Sequence, residues 1–460
     1  MNKIIFIVVA FIISGVLFLS CKSKKEKETT ANADTVAFKK TLPDWAKDAA
    51  IYEVNLRQAT LEGTFNAFQK DLERLSQMGV KILWFMPVNP IGEKNRKGPL
   101  GSYYSVKDYR AVNPEFGTMD EFKTLVTMAH DYGFYVIIDW VANHTSWDNQ
   151  LATDHKDWYK KDDKGNFVAP YDWTDVIALD YSKPALRNYM TETMVWWLKN
   201  TDIDGFRCDV AGLVPVAFWD STRAELQKVK PVFMLAEAEE LPLMQNAFDA
   251  DYAWKLLNIT KAVAEGKQDA DSVAAYIAKT QSEYPEGTFK MNFTTNHDEN
   301  SWNGTEYEKY KEGAKTFAVL SAIVPGMPLI YSGQEEPNLK RLKFFERDPI
   351  HWKKYELAGF YKTLFTAKKE NPALWNGSFG GSYTQIQSNN QKAVYSFLRT
   401  KETNKVLVVL NLSNKNQEVT LNGDSFIGTY QNIFTGKAEN IGANAKFNLK
   451  AWEFKVLTLK

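Results

Sequence analysis

Between residues 203 and 215 the chain reads IDGFRCDVAGLVP, a strand-like run that carries Arg207 and Asp209 two positions apart. Alternate residues of a strand share a face, so these two charges point one way while Phe206, Cys208 and Val210 point the other. Similar polar islands end other apolar runs: Asp139, Asn143 and His144 in DWVANH, Glu237 in LAEAE, and Asn296, His297 and Asp298 in TNHDEN. Carboxylates and imidazoles are the side chains that move protons and attack electrophilic carbon. A lone Arg–Asp pair is as easily a structural ion pair. Several carboxylates on one rim are not explained that way, because their mutual repulsion costs stability unless a function requires it. Whether they share a rim depends on the elements that carry them.

From about Leu42, apolar strand-like runs alternate with helical patterns. AIYEVNLR, KILWFMPV, YVIIDWVANH, IDGFRCDV, VFMLAEAE, FDADYAW, FKMNFTTNHDEN and MPLIYSGQE are the strand candidates, with helices expected over 65–79, 118–133, 184–200, 215–229, 271–284, 307–322 and 352–370. Thr118 and Glu121 form a capping box, and Pro184 suits the first turn of its helix. This alternation predicts an α/β fold, a (β/α)8 barrel (TIM barrel), with an open doubly wound sheet as the competing arrangement. In a barrel, chemistry sits at the C-terminal ends of the strands, where all the polar islands fall. Residues 145–178 are too long for an ordinary loop and form an insert after strand 3. After about residue 376 short strand runs with turn signals replace the helices, which predicts a C-terminal antiparallel β-sandwich. The expected divisions are therefore 42–144 with 179–375 for the barrel, 145–178 for the insert and 376–460 for the β-domain.

The 56 basic and 56 acidic residues cancel, so no global field draws the chain to nucleic acid. Its 14 Trp, 21 Tyr and 28 Phe suit a protein that stacks on sugars, although most must fill the core. Residues 1–20 carry Lys3, an apolar run from Ile4 to Leu19 and Ser20, a run shorter than the roughly 20 residues of a spanning helix and so an export signal. FLSC resembles the cleavage box of bacterial lipoproteins, which implies lipid on Cys21, a polar tether over 21–41 and a place in the cell envelope. Cys208 then has no intramolecular partner and reads as a small buried hydrophobe.

DWVANH, GFRCDV, AEAE and TNHDEN, in this order and on these strands, resemble the four short motifs of the α-amylase family of glycoside hydrolases. GSYYSVKDYRAVNPEFGT and IALDYSKPALR are similar to that family too. The resemblance implies the barrel, a domain B after strand 3 and the C-terminal β-domain. It also implies a retaining mechanism, with Asp209 as nucleophile and Glu237 as acid/base at a separation of roughly 5–5.5 Å. Asp298 corresponds to the third carboxylate, which binds sugar hydroxyls. His144 and His297 match hydroxyl-binding histidines, and Tyr104 the aromatic under the sugar. Arg207, counted with Tyr104, His144 and His297 among the substrate-binding residues, is also expected to keep the neighbouring nucleophile ionised, while Glu237, with no such partner in sequence, holds its proton. Asp139 is expected to support other residues, and Asp180 to serve the helix at 184.

Two departures stand out. Many amylases carry Lys-His three and four positions past the nucleophile, where this chain has Gly212 and Leu213. Asn143 matches a residue that often binds calcium, with Asp162, Asp163, Asp172 and Asp175 as candidate partners. The expected substrate is an α-1,4-glucan, handled by a monomer without organic cofactor. Transglycosylation on the same carboxylates and a catalytically silent starch-binding protein are the competing readings.

Overall fold

A computed structural model describes residues 39–459; Cys21, the export signal and most of the tether lie outside the described residues. Eight parallel strands close into a barrel: β1 (Ile51–Val54), β2 (Ile82–Phe85), β3 (Tyr135–Trp140), β4 (Gly205–Cys208), β5 (Phe233–Ala236), β6 (Ala250–Tyr252), β7 (Phe289–Asn292) and β8 (Met327–Tyr331). Each pairs with its sequence neighbours, and β8 returns to β1 through Ile51 opposite Leu329. Strands covered on both faces read as nearly continuous apolar runs, which is why polar residues inside them, such as Glu53, Asp139 and Arg207, carry information. All three are buried. Register places Asp139 beside Arg207 and Cys208 beside Ala236, so the functional ends of β3, β4 and β5 stand level.

The helices follow local chemistry. Thr118 Oγ1 accepts from Glu121 N at 3.2 Å while Glu121 Oε2 accepts from Thr118 N at 2.7 Å, the reciprocal cap that starts Met119–Asp131. Pro184 opens Pro184–Thr201. Three helical expectations change. The stretch 65–79 is interrupted by a tight turn at Gln69–Asp71, and 307–322 breaks into Glu306–Tyr310 and Ala314–Ile323 around Lys311, whose φ is 50°. The last helix begins only at Ala358, because Glu336 Oε2 accepts from the amides of Lys353, Lys354 and Tyr355 at 2.9–3.1 Å and fixes that run as a loop.

Domain B is rooted by a short antiparallel ladder of His144–Ser146 with Val176–Ala178. The C-terminal domain is built from β9 (Ser382–Gln385), β10 (Val394–Lys401), β11 (Asn404–Asn411), β12 (Gln417–Thr420), β13 (Gly428–Asn432), β14 (Ala438–Ile441), β15 (Lys446–Leu449) and β16 (Phe454–Leu459). A six-stranded sheet, ordered β9-β10-β11-β16-β13-β14, packs with the β12-β15 pair around Leu407, Val409, Val419 and Phe447, the antiparallel sandwich expected.

Candidate active site

Arg207 is the centre of the site. Gly205, just before it, has φ 155°, and a Cβ there would lie 1.9 Å from the Phe233 carbonyl, so a glycine is needed for β4 to run against β5. Arg207 Nη1 lies 2.8 Å from Asp139 Oδ1 and 3.1 Å from Asp209 Oδ1, and Nη2 lies 2.9 Å from Glu237 Oε2, within ion-pair range though not aligned as a hydrogen bond. Nε donates to Tyr252 Oη at 3.1 Å, and the rings of Trp84, Tyr104 and Tyr252 surround the guanidinium. The expectation that Glu237 has no cationic partner is therefore corrected: one arginine serves both carboxylates, which β4 and β5 bring together as neighbours. The expectation that Arg207 binds substrate is corrected too. Its side chain is fully buried beneath the cleft and touches carboxylates instead.

Glu237 Oε2 also accepts from Val210 N at 2.8 Å. That amide is aimed by a backbone turn with φ 37° and ψ 48° at Val210, left-handed geometry that a β-branched residue adopts only at a cost. Glu237 Oε1 takes no hydrogen bond from the described residues. Burial raises the Asp209 carboxyl well above its ordinary range, the Glu237 charge pushes the same way, and Arg207 opposes both. The guanidinium thus does not by itself offset the burial of Asp209 and the charge beside it.

A second chain of contacts runs through His297. Its Nδ1 donates to Glu53 Oε1 at 2.5 Å, while Nε2 lies 2.8 Å from Tyr104 Oη and 3.3 Å from Asp298 Oδ2. Burial disfavours the imidazolium, but Asp298 and Glu53 outweigh it and hold His297 protonated well above its usual range. Asp298 answers in kind: burial opposes its charge, yet His297, Arg207 and the Trp302 side chain keep its carboxyl low. Tyr104 stacks on His297 with centroids 5.4 Å apart and touches Asp139 Oδ2 at 3.1 Å. Asp139, raised to about 6 by burial against the pull of Arg207, supports Arg207, Tyr104 and Trp84. His144 is buried without a charged partner and falls to about 4, so it is a neutral imidazole, its Nδ1 accepting from Asn143 Nδ2 at 3.2 Å.

These groups open into a cleft of about 500 Å³ whose lining includes Tyr104, His144, Asp209, Glu237, His297 and Asp298. Domain B contributes Asp172, Trp173 and Asp175, tied to the loop after β2 by Lys97 Nζ at 3.2 Å from Asp175. Trp302, Phe344 and Phe345 form a further aromatic lining. Sequence reasoning missed these three and Glu53. A charge inside AIYEV was the signal for Glu53, and a Trp amid the polar DENSWNG the signal for Trp302, which is 52% exposed at the rim. Among the tryptophans near the cleft, Trp173 lines it, whereas Trp140 and Trp158 are buried packing and Trp147 donates to the Thr174 carbonyl. Trp197 packs in the core. Asp180 makes the turn before Pro184, accepting from Ser182 N at 3.0 Å.

Around Asn143 the acids named as calcium partners are mostly spent on other contacts. The Asn143 amide is turned to His144, Asp162 is spent on its own turn with Lys164 and Asn166, and Asp175 faces Lys97. Among the described residues no group of three or more His, Cys, Asp or Glu is gathered for a metal.

Residues 28–178 and 153–400 match the α-amylase catalytic domain, and 383–456 match the maltogenic amylase C-terminal domain. The chain is 26% identical over 399 residues to α-amylase MalA of Haloarcula japonica, covering 82% of this chain but 57% of that protein. It is 24% identical to a maltogenic α-amylase of Bacillus acidopullulyticus, over 90% of this chain and 78% of the relative. A crystal structure of the noncanonic maltogenic α-amylase AmyB from Thermotoga neapolitana superposes with a TM-score of 0.82 at 30% identity, covering 90% of this chain and 99% of that one. With the catalytic-domain match spanning most of its length, the chain belongs to the α-amylase family of glycoside hydrolases.

Proposed function

We propose that the protein hydrolyses α-1,4-glucosidic bonds of maltooligosaccharides and starch by double displacement with retention. The observation that carries this reading is the Asp209–Arg207–Glu237 cluster in the cleft with Asp298 and protonated His297 beside it. Asp209 attacks the anomeric carbon and Glu237 donates its Oε1 proton to the departing oxygen. Glu237 then takes a proton from water, which releases the glycosyl group from Asp209. Arg207 serves both halves of the cycle, because it faces whichever carboxylate is charged. Asp298 and His297 bind sugar hydroxyls, and Tyr104 and His144 hold the ring from the sides they line. A fully furnished set of acidic groups supports catalysis over silent starch binding.

Chromatography of products from soluble starch, maltooligosaccharides and cyclodextrins over time tests the reading. Hydrolysis releases shorter products with new reducing ends; products longer than the substrate would replace it with transglycosylation, and no turnover would replace it with binding alone. We also propose that Cys21 is acylated and fixes the enzyme to the cell envelope. Labelled palmitate should enter the natural chain and not Cys21→Ser; label surviving the change would refute it.

A further inference from the structure

Buried arginines in this chain come with carboxylates. Arg57 lies 3.8 Å from Glu115, Arg207 faces three acids, and Arg223 Nη1 lies 2.7 Å from Asp249. Arg399 on β10 breaks the pattern. It is 2% exposed, donates Nη1 to the Ile323 carbonyl at 3.2 Å and Nη2 to the Gly381 carbonyl at 3.5 Å, and leaves Nε without a partner. Among the described residues no carboxylate lies within ion-pair distance of it. Burial with no counter-charge lowers its pKa to about 10. A desolvated cation in this state is stabilised chiefly by an anion brought to it.

Arg399 lines a cavity of about 190 Å³ at the seam between the barrel and the C-terminal domain. Tyr284 and Glu286 enter from the segment before β7, Gly326 from the segment before β8, and Trp375 and Gly381 from the linker. The cavity therefore lies toward the N-terminal ends of the strands, away from the catalytic cleft. More cations gather around it. Lys47 Nζ and Lys401 Nζ lie 4.8 and 5.6 Å from the centre of the Trp375 ring, with Lys401 also donating to the Phe379 carbonyl; buried Lys368, which burial and the nearby Arg399 push toward its neutral form, donates to the carbonyls of Gly326 and Leu374 at 3.0 and 2.7 Å. Among the described residues none of the three pairs with a carboxylate, and the one acid in the lining, Glu286, is exposed. Ammonium groups against the Trp375 ring also leave it poorly placed to stack on a sugar.

We propose that this seam cavity binds a small oxyanion of the phosphate or sulfate type, held by Arg399 and favoured by the field of Lys47 and Lys401. A ligand there touches barrel, linker and β-domain together, so it stabilises the junction between them.

Thermal unfolding of the full chain in sodium phosphate against sodium chloride, at matched ionic strength and pH, tests this. Wild type should show a saturable rise of roughly 2 °C. Arg399→Gln should keep only the unsaturable drift that excluded salts give any protein. Arg399→Lys should retain part of the saturable rise. Should Arg399→Gln fail to fold, phosphorus NMR of inorganic phosphate decides: line broadening that saturates with wild type and weakens with Lys401→Gln supports the site. A rise that is equal in wild type and Arg399→Gln, a rise in wild type that never saturates, or phosphate lines untouched by the protein would overturn it.

Discussion

Glu53 shows how much one buried residue contributes from beneath the site. Its carboxylate accepts a hydrogen bond from His297 Nδ1, and that contact, with Asp298 on the other side, is what keeps the imidazole charged. A hydrogen bond to a charged group is worth about 1.5–3 kcal/mol, or roughly 10–100-fold in rate where the charge is used in the transition state. Glu53→Gln should therefore lower kcat by about that factor with a smaller effect on KM. The sign of the pH effect is also set. His297 has a raised pKa, so its charged form is present below that value and lost above it; without Glu53 the loss begins at lower pH. The alkaline limb of the kcat/KM profile should shift toward neutrality in the variant, and an unshifted limb would separate Glu53 from His297. The same scale explains which residues sequence reasoning reached. Motif spacing placed Asp209, Glu237 and Asp298 after β4, β5 and β7, and the fold brings all three to one cleft. The role of Arg207 was half legible: alternation along β4 places it beside Asp209, but its contact with Glu237 depends on the approach of β4 to β5 at Gly205, which no single strand reveals.

Elements decide the rest of the site. The turn that follows β4 stores strain at Val210 in order to aim an amide at Glu237, and asparagine tolerates that left-handed geometry better than valine. Val210→Asn should raise stability by about 1 kcal/mol while leaving kcat nearly unchanged, as read from denaturant unfolding and steady-state rates. In the same turn a Cβ at Gly212 would meet Glu240 Oε1 at 2.5 Å, so an acid stands against this glycine. The irregular turn Glu299–Asn303 after Asp298 delivers Trp302 to the rim beside Phe344 and Phe345, 5.4 and 5.8 Å away between centroids. An exposed indole there has a face for a sugar unit beyond the reacting one. Trp302→Ala should raise KM for maltooligosaccharides about tenfold with a lesser change in kcat, and Trp302→Phe should recover part of it. Equal losses in kcat and kcat/KM would instead place Trp302 in service of Asp298. Such loop residues escape sequence reading because period and propensity describe strands and helices, whereas a rim is assembled from turns distant in sequence. The overlong helix expected from residue 352 failed for the same reason: a distant carboxylate, Glu336, captured its first amides.

At the scale of the whole molecule, barrel and β-domain share one interior. Phe317 packs on Trp452, Phe360 on Phe434 and Phe454, and buried Asn376 donates to the carbonyls of Ala46 and Ala49 at 2.8 and 3.0 Å, tying the linker to the start of the described chain. The fold class and the order of its parts were legible, because the change from alternating helix and strand to strand alone marks the junction. The cohesion of the junction was not, since it rests on aromatic contacts between segments more than 70 positions apart. Residues 39–460 should therefore unfold in a single calorimetric transition, with removal of 376–460 giving an aggregated product; two separated transitions would show that the domains are independent.

The double displacement itself is tested most directly by an α-glucosyl or α-maltosyl fluoride, whose leaving group needs little help from an acid. Glu237→Gln should form a glycosyl-enzyme from the fluoride, and azide should speed its turnover and yield the α-azide, since two inversions give retention. Asp209→Asn should form no such species. Mass spectrometry of the trapped Glu237→Gln intermediate should find the sugar on Asp209; a sugar on Glu53, Asp139 or Asp298, or a β-configured azide, would contradict the assignment of Asp209 as nucleophile.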